Sequence, residues 1–305
     1  VWTCDGAIAA VRIASALGTG ELANGSVALE SLRAVGTRVV DIPGRWVRAV
    51  WELVTQLLPQ LHEDIEGIGP HLTCAMPAGA IVIGGGRVCV EKVANVEPQV
   101  VFDVSHGDVL VRRGATVRAF TRLVGPCAVL EHASVLGDRV SGCSIGEHSV
   151  VRGEISETVV LGHANKGHDG FVGHSYLGRW VNLGAGTITS NLKNTYGSVQ
   201  LWTPAGMQDT GASKLGSMIG DHAKTGIGTR LTTGSVIGAG SNVFGSEMPP
   251  KYVPPFSWVD GSEVSEFRLA KFLDIATRVM SRRAVAMSDR GRRQLSASHA
   301  KSRSE

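Results

Sequence analysis

The stretch VLVRRGATVRAFTRLVGPCAVLEHASVL, residues 109–136, carries an apolar residue at every sixth position. The series consists of Val111, Val117, Leu123, Val129 and Val135. A small residue stands four positions after each of the first four members. A period of six fits neither a lone strand, with period 2, nor a helix, with period 3.6, so it indicates repeated units of one short strand and one turn.

The same period continues on both sides of this stretch. Its further members are Val90, Val96 and Phe102; Phe171, Leu177 and Leu183; and Ile219, Thr225, Leu231, Ile237 and Val243. Fifteen of these sixteen positions are apolar, whereas a chain with 43% apolar residues would give about seven by chance. The repeat therefore extends over most of the chain.

In such a repeat the apolar residue points into a narrow prism, and stacked coils bury one continuous core. The composition agrees, since 39 glycines and only 5% aromatic residues suit many tight turns. The pattern resembles the left-handed parallel β-helix family, whose three-sided coils take about eighteen residues each. The resemblance implies an all-β domain with about seven coils over residues 90–245, leaving out the interruption at 191–217, and it also supplies the handedness, because ordinary crossovers are right-handed.

The predicted organisation has four parts, with an interruption in the repeat from 191 to 217 that we expect to be a long functional loop. The parts are a small α/β remnant of a nucleotidyltransferase-like domain at 1–79, the β-helix at 80–260, a C-terminal helix at 261–284, and a basic, disordered tail at 285–305. Apolar residues from Val47 to Leu58 lie at helical spacing, with a break or restart at Pro59. Ser262 is the expected cap of the C-terminal helix.

Composition excludes several classes of function. The net charge of +3 is small and sits mainly in the tail, where no aromatic residues interleave with the basic ones, so we expect no nucleic-acid partner. Five cysteines without a CxxC pair predict neither a disulfide framework nor a zinc ribbon, and favour a reducing cytoplasm. The sequence contains neither a run of eighteen apolar residues nor a signal peptide, so we expect no association with a membrane. A start at Val1 suggests a fragment.

The segment from Lys166 to Asn191 reads KGHDGFVGHSYLGRWVNLGAGTITSN. It resembles the acetyltransferase domain of the bifunctional glucosamine-1-phosphate acetyltransferase / N-acetylglucosamine-1-phosphate uridylyltransferase family, and the resemblance covers residues 80–260. It is closest to a branch described as sugar nucleotidyltransferases. The resemblance implies a cytoplasmic, homotrimeric enzyme that acetylates the amine of an amino-sugar phosphate with acetyl-CoA, at a site between neighbouring subunits.

The resemblance places the catalytic histidine at His168, fourteen residues before Asn182. The chemistry agrees, because an amine attacks a thioester only in its free form and must then lose a proton, which suits a group with a pKa near 7. Taken without the resemblance, His168 is better explained as a solvent-exposed turn residue. His174, six residues on, is the next candidate for the base.

The resemblance also implies binding residues for both substrates. Asn182, Asn191 and Phe171 correspond to sugar contacts, although asparagine is also a common turn former. Basic residues suit the sugar phosphate, but none aligns with the family's own, and each is equally well a surface charge. These are Lys166, Lys193, Arg152 and Arg122. For acetyl-CoA the resemblance points to backbone contacts at Ile227 and Gly245 and to Lys224.

Three other functions stay open. In the first, the chain is a sugar-1-phosphate nucleotidyltransferase relative, dependent on Mg²⁺, whose β-helix is mainly a trimerisation or regulatory module; residues 1–75 lack the Gly-rich phosphate loop that this activity needs. In the second, the repeat is only a scaffold. In the third, it is a γ-type carbonic anhydrase, with His163 and His168 as zinc ligands, but Cys127 stands where the third histidine belongs. We therefore predict no resident metal.

Overall fold

A computed structural model describes residues 1–18, 26–32, 36 and 38–303. The chain divides into two compact units, Val1–Arg48 and Ala49–Glu305. The described part of the first unit contains the strands Trp2–Cys4, Ala7–Ala10 and Val40–Asp41 and a 3-10 turn at Leu29–Ser31. The first strand pairs antiparallel with the second and parallel with the third. Its origin as a nucleotidyltransferase-like remnant stays a prediction.

The second unit is a prism of short strands with three faces. Face 1 contains Ile81–Ile83, Val101–Asp103, Thr121–Val124, Asp138–Ser141, Ile155–Ser156, Val172–Gly173, Ile188–Thr189 and Arg230–Leu231. Face 2 contains Val88–Val90, Val109–Val111, Cys127–Val129, Ser144–Ile145, Val159–Val160, Tyr176–Leu177, Met218–Ile219, Val236–Ile237 and Tyr252–Val253. Face 3 contains Asn95–Val96, Thr116–Val117, Ser134–Val135, Val150–Val151, Asn165–Lys166, Lys224–Thr225, Asn242–Phe244, Ser257–Asp260 and Glu263–Glu266.

Strands on each face pair in parallel with the coil before and the coil after, except that Glu263–Glu266 pairs antiparallel. The chain visits the three faces in turn, which confirms the predicted left-handed parallel β-helix. Within residues 49–303 face 2 has nine strands, and the seven steps between register partners from Val90 to Ile237 confirm the estimate of about seven coils for residues 90–245. Several coils are shorter than eighteen residues; Val135, Val151 and Lys166, for example, are register partners on successive strands.

Mostly apolar side chains from the strands fill the prism. The five members of the series from Val111 to Val135 are all fully buried, as predicted. Phe171, which the period placed inside, is only half-buried, and Val172 takes the inward position instead. The reason is that turns between Val135 and Val172 are shortened, which moves the register by one residue.

Two helices cover the outside of face 2. They are α1, Glu52–Thr55, and α2, Leu57–Ile68, followed by a 3-10 turn at Gly69–His71. The apolar side of α2 packs against the outward residues Cys89, Leu110 and Ala128. The predicted boundary at 79/80 is therefore misplaced, because the segment from Ala49 onwards shares its core with the β-helix. The predicted restart at Pro59 is confirmed, since the proline lies in the first turn of α2.

The interruption at 191–217 is folded. It contains an antiparallel hairpin of Gln200–Thr203 and Gly206–Asp209. Val199, Leu201 and Leu215 are fully buried and pack with Val54 of α1 and with Met218. The insertion thus has a structural role, since it extends the apolar layer outside face 2.

The C-terminal part differs from the expectation in two respects. The helix α3 spans Leu269–Ser281 and starts after Arg268, because the segment around the proposed cap Ser262 instead forms a strand pair that ends face 3. In addition, a second helix, α4, spans Asp289–Lys301, where we expected disorder. The Ser288 side chain caps α4 by accepting a hydrogen bond from the Gly291 amide at 3.1 Å.

The cysteine prediction also needs correction. Cys74, in the segment before the first β-helix strand, and Cys89 form a disulfide, with their Cα atoms 5.1 Å apart. The cysteine pattern therefore gives no support to a reducing compartment. None of the described helices has the length and apolarity needed to cross a membrane.

Candidate functional site

A recess opens on face 3 beneath the end of α3, with a volume of about 470 Å³. We refer to it as the face-3 recess. Its lining residues are Val150, His163, Asn165, Trp180, Val181, Asn182, Lys224, Val279, Arg282 and Arg283. The β-helix contributes the first seven and the C-terminal segment the last three, so residues more than a hundred positions apart in the sequence form one site.

The floor of the recess is a column of outward-facing residues. Asn165 pairs with Asn182, and Asn182 pairs with Lys224, on three successive coils. Stacked coils lie about 4.8 Å apart, which brings these side chains into contact. The Asn165 amide donates a hydrogen bond of 3.0 Å to the Asn182 side-chain oxygen. The Asn182 amide nitrogen remains as a donor for a ligand.

One side of the recess is the corner between faces 2 and 3, where aromatic rings stack. The stacked series, which we call the corner ladder, is His132, His148, His163, Trp180 and His222. All five residues have positive φ, between 51° and 63°. This backbone places each side chain at the same corner position of its coil. Trp180 lies between His163, at 4.2 Å between ring centroids, and His222, at 6.1 Å.

The recess is cationic. Burial lowers the pKa of Lys224 to about 8, and its ammonium donates to the His222 carbonyl oxygen at 3.0 Å. Burial and the neighbouring His148 lower the pKa of His163, whose Nδ1 is buried and has no hydrogen-bond partner among the described residues. The lining contains no carboxylate. The site therefore suits an anion.

His168 lies in the turn that leaves face 3 for face 1, and it is exposed. No hydrogen bond of its imidazole is found within the described part of the chain. The strand register aligns four positions on four successive coils. From the lowest coil to the highest, they are His168, Ala185, Ile227 and Gly245. The amide of Gly228 donates to the Ala185 carbonyl oxygen at 2.8 Å, which agrees with this stacking. The predicted base and the two predicted acetyl-CoA contacts thus share one corner of the prism.

Lys166, two residues before His168, lies inside the prism. It occupies the inward position next to Val151, and only 1% of it is exposed. Its ammonium donates to the carbonyl oxygens of Arg152 and His168, and burial lowers its pKa to about 8. Lys166 therefore cannot meet a phosphate as predicted, because its donors are inside the core; it holds the turn that carries His168.

The other basic residues predicted for the phosphate have partners elsewhere. Arg152 Nε lies 3.0 Å from Asp169 Oδ1. Arg122 pairs with Asp103 and thereby lowers the pKa of that carboxyl to about 2. The ammonium of Lys193 donates to the Ser198 carbonyl oxygen. None of the three lines the face-3 recess. Their role in phosphate binding stays a prediction.

Asn191 lies at a different corner, between faces 1 and 2, and the ring of Phe171, which precedes the face-1 strand Val172–Gly173, reaches the same glycine, Gly173. The Asn191 amide is 2.9 Å from His174 Nδ1, and His174 Nε2 is 3.3 Å from Glu157 Oε1. A Cβ on Gly173 would approach Phe171 Cζ to 2.4 Å and Asn191 Nδ2 to 3.0 Å, so a larger residue there would displace these two side chains. The hydrogen bond from His174 lowers the pKa of Glu157. Asn182 and Asn191 of one chain therefore do not meet.

Ile227 and Gly245 occupy equivalent positions in consecutive turns. Ile227 is 84% exposed, which is unusual for an isoleucine and leaves its backbone open to a ligand. Gly245 has φ +108° and lies so close to the next coil that a Cβ would be 2.3 Å from the Gly261 nitrogen. Their binding of acetyl-CoA stays a prediction.

Arg282 and Arg283 were not predicted as site residues, because they belong to the segment expected to be a helix end and a disordered tail. Glu157 was not predicted either, because only the register places it beside His174. Among the described residues no group of three His, Cys, Asp or Glu side chains could hold a metal ion. His163 and His168, the ligands of the carbonic anhydrase alternative, lie at opposite ends of one strand of face 3.

No protein-family model matches the sequence. A bifunctional sugar-1-phosphate nucleotidylyltransferase/acetyltransferase from Sulfurisphaera tokodaii is 27% identical over 50% of this chain and 39% of its own length. The bifunctional protein GlmU from Synechococcus elongatus is 30% identical over 43% of this chain and 24% of its own. A solved hexapeptide transferase family protein from Anaplasma phagocytophilum aligns over 74% of this chain and 95% of its own at 13% identity, with a TM-score of 0.33. The chain thus spans well under half the length of these two curated relatives, to which its sequence is similar over about half of its residues.

Proposed function

We propose that this chain is an acyltransferase of sugar metabolism, which transfers the acetyl group of acetyl-CoA to the amine of an amino-sugar phosphate. Glucosamine-1-phosphate is the default acceptor, and another amino-hexose phosphate is the rival. The observation that carries the proposal is the alignment of His168, Ile227 and Gly245 on one corner of the prism, beside Asn182 on face 3. The relatives named above, which couple nucleotidyl and acetyl transfer, support the same class of reaction.

In this proposal His168 removes the proton from the attacking amine. The amine nitrogen bonds to the thioester carbonyl carbon, its proton passes to the imidazole, and the C–S bond then breaks to release CoA, whose sulfur takes up a proton. A general base needs an unengaged nitrogen within reach of the substrate. The exposed imidazole of His168 meets this condition, and Lys166 fixes the turn beneath it.

His174 is a weaker candidate for the base. Both of its ring nitrogens have partners, Asn191 on one side and Glu157 on the other, and only 8% of the residue is exposed. An imidazole in this arrangement orients its neighbours. We assign it the role of positioning the Asn191 amide.

The separation of Asn182 and Asn191 supports a site shared between subunits. If the protein forms a homotrimer, as the resemblance implies, the Asn191 corner of one subunit faces the His168 corner of the next. The partners in this proposal are small-molecule substrates and two further copies of the chain, and the enzyme works in the cytoplasm.

The test is acetyl-CoA consumption across a panel of amino-sugar phosphates with the wild type, His168→Ala and the control His106→Ala. His106 is also an exposed histidine in a turn, but it lies four coils away from the site. We expect His168→Ala to lose about two to four orders of magnitude in kcat while keeping its fold, which is the usual scale for loss of a general base.

The pH profile gives a second readout. The log of kcat/KM of the wild type should rise through a limb near neutrality, and His168→Ala should lose that limb while still binding acetyl-CoA. His106→Ala should behave as the wild type. Near-normal turnover by folded His168→Ala would exclude His168 as the base and would leave His174 as the next residue to test.

A further inference from the structure

We infer that the face-3 recess is a phosphate-binding site in which Lys224, Arg282 and Arg283 hold the phosphate of a sugar phosphate. The inference deepens the proposed function and rests on it for the identity of the acceptor. It replaces the basic residues that the sequence suggested with a set that the fold brings together.

The face-3 recess has an excess of positive charge. Three cationic side chains line one recess of about 470 Å³ without a carboxylate. No ion pair of Arg282 or Arg283 is found across the described residues, and the one hydrogen bond seen for either side chain runs from Arg283 Nη1 to the His148 carbonyl oxygen at 3.4 Å. By contrast, Arg152 and Arg122 each pair with an aspartate. Like charges repel unless an anion neutralises them, so the recess is stabilised by a bound anion.

The wall of the recess contains a polar atom without a hydrogen-bond partner among the described residues. This atom is His163 Nδ1, which is buried. Leaving such an atom unpaired destabilises the folded state. Burial and nearby positive charges lower the pKa of His163, and an anion in the recess would raise it again and thereby favour the protonated ring.

The lining of the recess suits a sugar phosphate better than a nucleotide. A nucleobase is normally recognised by stacking on an open aromatic face, but both faces of Trp180 are taken by His163 and His222. The remaining polar groups are the Asn165 and Asn182 amides, which suit hydroxyl groups because an amide both donates and accepts. Val150, Val181 and Val279 supply the apolar part of the lining. This set fits a polyol that carries one phosphate.

The recess lies close to His168. Asn165, in the recess, and His168 are three residues apart on the same strand and its turn, which reach at most about 10 Å. A phosphate held by Lys224 and the arginines therefore leaves the other end of the sugar near the base. The anchoring of one end orients the amine for attack.

The experiment uses the full chain and the double variant Arg282→Gln/Arg283→Gln. The matched control is Arg290→Gln/Arg293→Gln, which removes the same charge from exposed positions of α4 outside the recess. Binding of glucosamine-1-phosphate, unphosphorylated glucosamine and CoA is measured by calorimetry, each alone, so that no turnover is needed. Circular dichroism verifies the fold of each variant.

We expect the double variant to bind glucosamine-1-phosphate about 10- to 100-fold more weakly, with no change for glucosamine or CoA and no change in the control. A loss for CoA instead of the sugar phosphate would assign the recess to a phosphate of the donor. Equal binding of both ligands by wild type and double variant would overturn the inference. Sugar-phosphate binding that depends on the arginines, without acetyl transfer to any acceptor, would refute the proposed function but leave the recess as a phosphate site.

Discussion

Lys166→Met tests how the fold holds the candidate base. The side chain is 1% exposed and lies in the inward position of its strand, so methionine keeps the shape of the core. Burial lowers the pKa of this lysine from 10.5 to about 8. Each pKa unit corresponds to about 1.4 kcal/mol, so the buried ammonium costs the folded state up to about 3 kcal/mol at neutral pH.

The sign of the pH dependence follows from proton binding. Between pH 8 and 10.5 the unfolded chain still binds the proton of Lys166 and the folded chain does not, so stability rises with pH through this window. Below pH 8 both states are protonated and the slope vanishes. The free energy of unfolding of the wild type, relative to Lys166→Met, should therefore increase by up to about 3 kcal/mol from pH 7.5 to 10.5.

Urea unfolding of both proteins at fixed concentration and several pH values measures this difference. Lys92→Met, which removes an exposed lysine, is the control and should run parallel to the wild type. In the acetyl-transfer assay Lys166→Met should lower kcat by about 10- to 100-fold, because the His168 turn loses its internal donor, and should leave the KM for acetyl-CoA unchanged. Parallel stability curves for the wild type and Lys166→Met would refute the burial of the ammonium and its hold on the turn.

Two further predictions concern assembly and the second activity of the relatives. We expect light scattering to give three times the chain mass of 32.1 kDa. Coexpressed His168→Ala and Asn191→Ala chains should regain activity at about a quarter of their sites, because random mixing pairs an intact His168 with an intact Asn191 in that share of shared sites. A fully active monomer would exclude this arrangement. We also expect no pyrophosphate release from a nucleoside triphosphate and a sugar phosphate with Mg²⁺, because residues 1–75 lack a Gly-rich phosphate loop; robust release would show that a site was missed.

The fold was predictable wherever the turns kept one length. Between Val111 and Val135 every residue that the strict period of six places inside the prism is buried. Beyond this stretch the turns shorten, and the period lost the register, so Phe171 was placed inside instead of Val172. Hydrophobicity alone cannot correct this error, because both residues are apolar and adjacent.

Lys166 shows a second limit. Lysine is almost never fully buried without partners, so the sequence suggested a surface residue that binds phosphate. Only the register of Val151 with Lys166 shows that it faces inward, and only the geometry of the turn provides two carbonyl acceptors for it. The segment that contains Lys166 did indicate which residues lie near His168, because the strand and the turn that follow one another in the sequence are also adjacent in space.

The cationic recess was beyond sequence reasoning because it depends on packing between distant segments. The corner ladder continues past His222 into an edge contact with Phe272 of α3, at 5.9 Å between ring centroids, and Phe256 meets Phe272 at 5.0 Å. These contacts fix the start of α3 near one end of the ladder. Thirteen helical residues then extend about 20 Å.

That length decides where the arginines lie. From His222 back to His148 the ladder descends three coils, or about 14 Å. A helix of about 20 Å that is anchored at His222 therefore ends beside this lower part of the ladder, where Arg283 reaches the His148 carbonyl oxygen. The stack of rings at the corner thus sets the position of α3, and α3 in turn brings Arg282 and Arg283 into the recess that Asn182 and Lys224 also line. The residues that shape the prism corner and the residues that make the recess cationic belong to one packing arrangement, which explains why an anion site lies on this face of the prism and at this height.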